Sequence, residues 1–251
     1  MHPLPPLLPL PPEHIHVWLV FPHAIHNDTL LTQYRNLLNT QEQQKEKRFY
    51  FQKDQHRYLL TRALVRTVLS QYAPVAPTDW VFSRNQYGKP AIDAQHGLEH
   101  LSFNLSHSQR LIALAITRHS ALGIDTENTQ ARKTPLNLIN DYFSPAEMAT
   151  MNATHPEQKS HRFFQHWTLK EAYVKARGMG LTIPLQHVDF QIETPNGITL
   201  TLHPDLNDNA SNWNLWQLQP TAHDILSICA HTHGPEKQQL ILREWPILPQ
   251  R

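Results

Sequence analysis

From Leu122 to Glu127 the chain reads Leu-Gly-Ile-Asp-Thr-Glu, a short apolar run closed by two acids at i, i+2. On a strand, residues two apart share a face, so Asp125 and Glu127 would point the same way. Some forty residues later comes Trp167-Thr-Leu-Lys-Glu-Ala-Tyr-Val-Lys175, a helical segment with an acid, Glu171, between two lysines. A third carboxylate arriving from a helix completes an all-oxygen site for a hard divalent cation, Mg²⁺ with Mn²⁺ as a substitute, beside a substrate phosphate. Lys170 and Lys175 supply positive charge for that phosphate. The plain alternative is an acidic loop after a strand, together with a solvated Glu171–Lys175 pair at i, i+4, worth roughly a few tenths of a kcal/mol.

Periodicity supplies the frame. Residues 14–21 alternate and predict a strand. Residues 41–72, with Leu60, Leu64, Val68 and Tyr72 at four-residue spacing, predict one long helix ended by Pro74 and Pro77. Strands are predicted at 101–105 and 111–117, before the acid-tipped run. Ser144-Pro145-Ala146-Glu147 predicts a helix start, with Ser as cap, Pro in the first position and Glu closing a capping box. A second long helix is predicted over 156–177, stopped by Gly178 and Gly180. Strand patterns at 188–193 and 198–203 flank Pro195-Asn196-Gly197, a hairpin signal, and two more follow at 213–219 and 225–230.

A long helix followed by strands thus occurs twice. Gln44-Lys45-x-x-Arg48-Phe49 is echoed by Gln158-Lys159-x-x-Arg162-Phe163, and 111–115 by 226–230. The expected fold is α+β: two similar α/β halves related by a pseudo-two-fold, each a long helix packed on a mainly antiparallel sheet. The boundaries are an irregular Pro-rich tail over 1–13, an N-terminal half over 14–120 and a C-terminal half over 121–251, with the active site at the seam.

Bulk properties remove several function classes. A net charge of +1 gives no global electrostatic case for nucleic acid. The single cysteine, Cys229, lies in an apolar run and reads as a buried small hydrophobe in a reducing compartment. The 18 histidines show no His-Glu-x-x-His and have no cysteine partners, which argues against zinc; His96/His100 and His231/His233 are the close pairs. The N-terminal stretch lacks a basic region, its prolines break any signal helix, and no apolar run is long enough to span a membrane. A cytoplasmic monomer, without membrane or nucleic-acid partners, is the expectation.

The motifs also add up to a resemblance. Asn104-Leu-Ser-His-Ser108, Gly123-Ile-Asp-x-Glu127 and Phe164-x-x-Trp167-x-x-Lys170-Glu171-x-x-x-Lys175 resemble the 4′-phosphopantetheinyl transferases, in the two-halved branch that activates surfactin and enterobactin synthetases. Arg48-Phe49-Tyr50, Asp54-x-His56-Arg57 and Tyr87-Gly88-Lys89-Pro90 match in the same order, so the likeness covers about residues 42–185. It implies transfer of the phosphopantetheine arm of coenzyme A to a serine on an apo acyl or peptidyl carrier protein, releasing adenosine 3′,5′-bisphosphate. By resemblance Asp125, Glu127 and Glu171 hold Mg²⁺, Glu171 takes the serine proton, and Lys175 steadies the leaving phosphate. Lys45, Arg57, Ser106 and His107 would surround coenzyme A near its 3′-phosphate, while Gly88, Lys89 and Pro90 lie along the adenine. Glu42 and Met179 stand where relatives often carry lysines, and Glu147 matches a position near the pantetheine arm. The rival readings are a metal-dependent phosphohydrolase using the same carboxylates, and a non-catalytic coenzyme A-binding module.

Overall fold

The computed structural model describes residues 6–130, 134–193, 197–232 and 238–245. The chain begins with β1 (His14–Val20), α1 (Asp28–Arg35), α2 (Thr40–Lys47) and α3 (Gln52–Leu69). A short hairpin of β2 (Phe82–Arg84) and β3 (Pro90–Ile92) leads to β4 (Leu101–His107) and β5 (Ile112–Arg118). Then come β6 (Leu122–Asn128), α4 (Ile139–Tyr142), α5 (Pro145–Ala153) and α6 (Pro156–Arg177). A second hairpin, β7 (Val188–Glu193) and β8 (Gly197–Leu202), precedes β9 (Trp213–Leu218), β10 (Asp224–His231) and β11 (Gln239–Glu244).

The strand order repeats. One sheet runs β11-β1-β5-β4 and the other β6-β10-β9, so β1-β5-β4 of one half matches β6-β10-β9 of the other, with every one of these pairings antiparallel. The additional strand β11 joins β1 in parallel, Val17 opposite Leu242. Ile15, Val17, Ala113 and Ala115 pack on Leu122, Ile124, Leu226 and Ile228, so the sheets meet face to face. α3 covers the outer side of the first sheet through Leu60, Leu64 and Val68, and α6 covers the second through Leu169, Ala172, Tyr173 and Ala176. This is the α+β arrangement of helices on antiparallel sheets that the periodicity implied.

Three expectations change. The single helix over 41–72 is two helices, with residue Phe51 extended between them. The physical reason is that α2, Thr-Gln-Glu-Gln-Gln-Lys-Glu-Lys, has no apolar stripe to continue the buried face of α3. The hexapeptide echo does not mark equivalent sites, since Arg48-Phe49 follows α2 while Arg162-Phe163 lies within α6. The repetition lies elsewhere, in two capping boxes. Glu42, capped with Asn39, ion-pairs with Arg62 and with Arg66 at 2.8 Å; Glu147, capped with Ser144, meets His166 at 3.5 Å and Lys170 at 2.7 Å. Lys170 is fully buried and also donates to the carbonyls of Leu185 and Val188, so it supplies no charge to a phosphate. Burial alone would raise the Glu147 carboxyl, but His166 and Lys170 outweigh it and hold the group below the usual range. Glu147 therefore pins α5, α6 and β7 together, and Glu42 fastens α2 to α3.

The tail is irregular where described, yet it packs: Leu10 is buried and the Leu8 amide donates to the Gln71 carbonyl at 2.6 Å. Residues 1–5 lie outside the described residues, as do Pro195 and Asn196 of the expected hairpin turn; Gly197 opens β8 with φ +104°.

Candidate active site

The site forms where β4, β6 and α6 converge. Asn104 and Ser106, two apart on β4, share a face and reach the backbone of β6. Asn104 Oδ1 accepts from the Ile124 amide at 2.9 Å and Ser106 Oγ from the Thr126 amide at 3.3 Å. On its helix-facing side β6 carries Gly123, where a Cβ would sit 1.9 Å from the Ala172 carbonyl oxygen and 2.4 Å from the Ala176 nitrogen. Any side chain there would push α6 away, so this glycine sets the helix against the strand backbone.

That contact brings the catalytic candidates together. Lys175 Nζ lies 2.7 Å from Asp125 Oδ1, 3.1 Å from Ser106 Oγ and 3.1 Å from the Ile124 carbonyl oxygen. Ser106 Oγ also donates to Asp125 Oδ1 at 2.9 Å. The second oxygen, Asp125 Oδ2, is buried with no hydrogen-bond partner among the described residues. A buried carboxylate oxygen without a donor is costly unless something positive meets it. Glu127 follows on the same face of β6, half-buried. Glu171 is also half-buried; burial first, then the charge of Asp125, raises its pKa above the ordinary glutamate value, with Lys175 opposing. An acid-lined niche with one orphaned buried oxygen fits a hard divalent cation.

Trp167, Glu171 and Lys175 share the half-exposed face of α6, as their i, i+4, i+8 spacing requires. Trp167 stacks on Phe163 with ring centroids 5.8 Å apart and meets Tyr142 edge-on, which makes it a packing anchor for the helix.

Around this core lies a cleft of about 260 Å³ lined by Tyr87, Gly88, Pro90, Asn104, Glu171 and Lys175 among others. Gly88 adopts φ +86°, and no atom lies near a Cβ built there, so the turn's backbone conformation is what calls for glycine. The Lys89 stem lines the cleft, but its ammonium donates to the carbonyls of Leu122 (3.0 Å) and Ala176 (3.3 Å), tying the β2–β3 hairpin to β6 and α6. Burial lowers its pKa to about 8. Asn85 adds a bond from Nδ2 to the Gly178 carbonyl at 2.7 Å. His107, next to Ser106, faces the Arg57 guanidinium; partial desolvation and then that cation hold its imidazole below the usual histidine range. Arg57 is itself held by Asp54 at 2.8 Å.

Lys45 stands apart on the exposed face of α2, 5.6 Å over the Tyr58 ring, beside Gln41, Gln44, Arg48 and Phe49. Glu42 and Met179, the two departures noted in the sequence, have structural explanations. Glu42 is buried between two arginines, and the Met179 sulfur accepts from Arg177 at 3.6 Å. Glu147 is buried in its ion cluster rather than turned to a ligand. Sequence reasoning missed Asn104 and Gly123 as parts of the site's frame, although both lie within the motifs it singled out.

A strand acid, a helix acid and a helix lysine gathered where β4, β6 and α6 converge are the kind of groups that phosphoryl-group transfer needs. The chain matches the 4′-phosphopantetheinyl transferase superfamily over residues 121–230 and the 4′-phosphopantetheinyl transferase N-terminal model over residues 27–119. It is 30% identical to the 4′-phosphopantetheinyl transferase HetI of a Nostoc species, over 92% of this chain and 94% of that one. It is 31% identical to the 4′-phosphopantetheinyl transferase Sfp of Bacillus subtilis, over 88% and 97%. Among solved structures it aligns with the holo-[acyl-carrier-protein] synthase of Thermotoga maritima, at 17% identity over 44% of this chain and 62% of that one, TM-score 0.36. The chain belongs to the 4′-phosphopantetheinyl transferase superfamily and is an enzyme of that type.

Proposed function

We propose that the seam between residues 14–120 and 121–251 is where this transferase moves the phosphopantetheine arm of coenzyme A onto an apo-carrier serine, with Asp125, Glu127 and Glu171 as its cation-holding acids. Coenzyme A is the co-substrate of the family. The observation that carries the site reading is the orphaned, buried Asp125 Oδ2 opposite a Glu171 whose proton affinity is raised.

Mg²⁺, when bound, would neutralise the pyrophosphate of coenzyme A, and these three acids would hold it. The remaining work falls to the chain's own groups. Glu171 accepts the proton of the carrier serine as its oxygen attacks the phosphorus nearer the pantetheine. One P–O bond forms, the pyrophosphate P–O bond breaks, and its electron pair leaves with adenosine 3′,5′-bisphosphate. A carboxylate with a raised pKa is the better base for this step. Lys175 is anchored by Asp125, while its two neutral partners, Ser106 Oγ and the Ile124 carbonyl, are ones that a charged phosphate oxygen outcompetes. Arg57 and His107 stand at the rim for the 3′-phosphate, with Lys45 farther out. Gly88 and Pro90 form the wall along the adenine, and Lys89 fixes that wall to α6.

Among the described residues no helix is long and apolar enough to cross a membrane; a cytoplasmic monomer acting on carrier proteins belongs to the same proposal. Incubating the protein with coenzyme A, Mg²⁺ and several apo-carriers should raise one carrier's mass by a single phosphopantetheine on serine. Coenzyme A binding with every carrier left unmodified would overturn the reading.

A further inference from the structure

The β7–β8 hairpin opens at its base onto two histidines that no sequence spacing would pair. Val188 and Leu202 are the last partners of the ladder, and one step beyond them the His203 amide donates to the His187 carbonyl at 2.9 Å. The two imidazoles therefore lie side by side, ring centroids 4.3 Å apart and 32° from parallel. Asp205, two residues on, brings its Oδ2 to 3.3 Å from His203 Nδ1. One ligand atom from each of His187, His203 and Asp205 lies within 4.8 Å of the other two.

Two further observations point to a ligand. His187 Nδ1 is buried and has no hydrogen-bond partner among the described residues. A ring nitrogen in that condition is unfavourable unless its lone pair meets a cation or donor. His203 Nδ1 accepts from the Asp205 amide at 3.3 Å, a long bond that a cation would replace, and its 3.3 Å to Asp205 Oδ2 is about the edge of a tetrahedron whose metal–ligand bonds are about 2.0–2.1 Å. The loop that carries these groups is already held. The Leu206 amide donates to the His203 carbonyl and the Asn207 amide to the Pro204 carbonyl, both at 3.0 Å. Asp208 accepts from Tyr173 at 2.7 Å, Arg177 at 2.6 Å and Trp213 at 2.9 Å. Little backbone freedom remains to be lost when an ion binds.

We propose that His187, His203 and Asp205 form a second metal site, separate from the acid cluster at the seam, which takes a borderline divalent cation of the Zn²⁺, Co²⁺ or Ni²⁺ class. Two imidazoles and one carboxylate suit these ions, whereas Mg²⁺ favours all-oxygen sites with several waters. His203 and Asp205 are exposed, which leaves a solvent-facing position for a fourth ligand and a path of entry. The ion would clip the base of the hairpin next to Val188, whose carbonyl holds Lys170, so the site is a structural staple one residue from the anchor of α6.

The test uses the full chain, stripped with chelator and kept in excess Mg²⁺ so that the seam acids are occupied by the hard cation. Co²⁺ should bind with visible absorption of a nitrogen-and-oxygen site, and the double variant His187→Gln/His203→Gln should lose one equivalent. A hundredfold excess of Zn²⁺ over its Kd should raise the melting midpoint on the order of 5 °C in the parent and not in the variant. Transfer activity in Mg²⁺ should be unchanged. The single exposed change His203→Gln should give the same loss if the double variant folds poorly. Equal Co²⁺ stoichiometry in parent and variant, or no Zn²⁺ effect on parent melting, would overturn the proposal.

Discussion

The two long helices sit on their sheets at different distances. Between β1 and α3 stands Trp18, buried among the leucines of the helix, whereas at the closest approach of β6 to α6 the strand presents Gly123. The far end of α3 is covered as well, since Trp245, just past β11, donates from Nε1 to Thr67 Oγ1 at 3.0 Å. α6 has no such cover over Glu171 and Lys175, which stay half-exposed. Both helices are clamped alike, by a capping-box glutamate on two basic residues four apart. The strand frame is duplicated, and the proposed site lies in the half where the helix touches the strand backbone and keeps one face open.

The largest effects should come from that open face. Glu171→Gln should abolish transfer, at least a thousandfold on the order of 4 kcal/mol, while coenzyme A still binds, because an amide fills the space without accepting a proton. Asp125→Ala should cost about a hundredfold or more, roughly 3 kcal/mol of transition-state stabilisation. Lys175→Ala should weaken both coenzyme A binding and turnover. Steady-state rates with isothermal titration separate these outcomes. Near-normal turnover in the two acid variants would mean that the exposed face of α6 is a docking surface and the contrast with α3 has no catalytic meaning.

The contact itself is tested next. Gly123→Ala places a Cβ against helix backbone that has no rotamer with which to move aside. It should lower stability by at least about 3 kcal/mol and reduce transfer by separating Lys175 from Asp125. Trp18→Leu in the other half should reduce stability through lost packing and leave the rate per folded molecule unchanged. Urea unfolding and activity at low denaturant distinguish the two.

Much of this was legible beforehand, and the exceptions are physical. Strand alternation, the Ser144 capping box and the glycine stop of α6 are local signals, and they placed those elements closely. The α2–α3 break was not legible from leucine spacing, because that spacing says where α3 is apolar and not that α2 is polar all round. β11 pairs with a strand more than two hundred residues away in sequence, a contact that no local pattern announces. That Asp125 and Glu127 share a face of β6, and Glu171 and Lys175 a face of α6, was legible because i, i+2 on a strand and i, i+4 on a helix are geometric. The fate of Lys170 was not, since helix position alone does not say which of two neighbouring charges is buried. Histidine spacing was uninformative in a similar way. His96 accepts from the Val81 amide at 3.0 Å and His100 neighbours His119 at 5.7 Å; His233 lies outside the described residues. His187 and His203, sixteen residues apart, are brought together by a hairpin.

The clamps can be ranked against one another. Glu147 is almost completely buried, with side-chain exposure 1% against 10% for Glu42, and it also accepts the Phe190 amide at 3.0 Å. Removing one partner of a buried pair leaves an uncompensated charge, so Glu147→Gln should cost about 3–5 kcal/mol. Glu42→Gln should cost less, about 1–3 kcal/mol, because Arg62 reaches water and Arg66 keeps the carbonyls of Pro77 and Trp80. Equal losses would mean that the two halves are fastened with equal strength.

The smallest effect concerns Lys89, a lysine by which the first half grips the second. Lys89 is held by the carbonyls of Leu122 and Ala176, and its pKa is lowered from 10.5 to about 8 by burial. Below pH 8 it is protonated in both the folded and the unfolded chain. Between about 8 and 10.5 the unfolded chain keeps the proton that the folded one has released, so the unfolded state binds more protons and stability rises with pH. The stability of the parent relative to Lys89→Met should therefore grow across that window and be flat from pH 6 to 7.5, since titrations elsewhere cancel in the difference. Coenzyme A affinity should change by less than about threefold, because an ammonium already bound to two carbonyls has little left for an adenine. A flat stability difference from pH 8 to 10 together with a large loss of affinity would reverse the assignment. Lys89 would then be a ligand contact facing solvent, and the grip between the halves would rest on Asn85 and the sheet contacts.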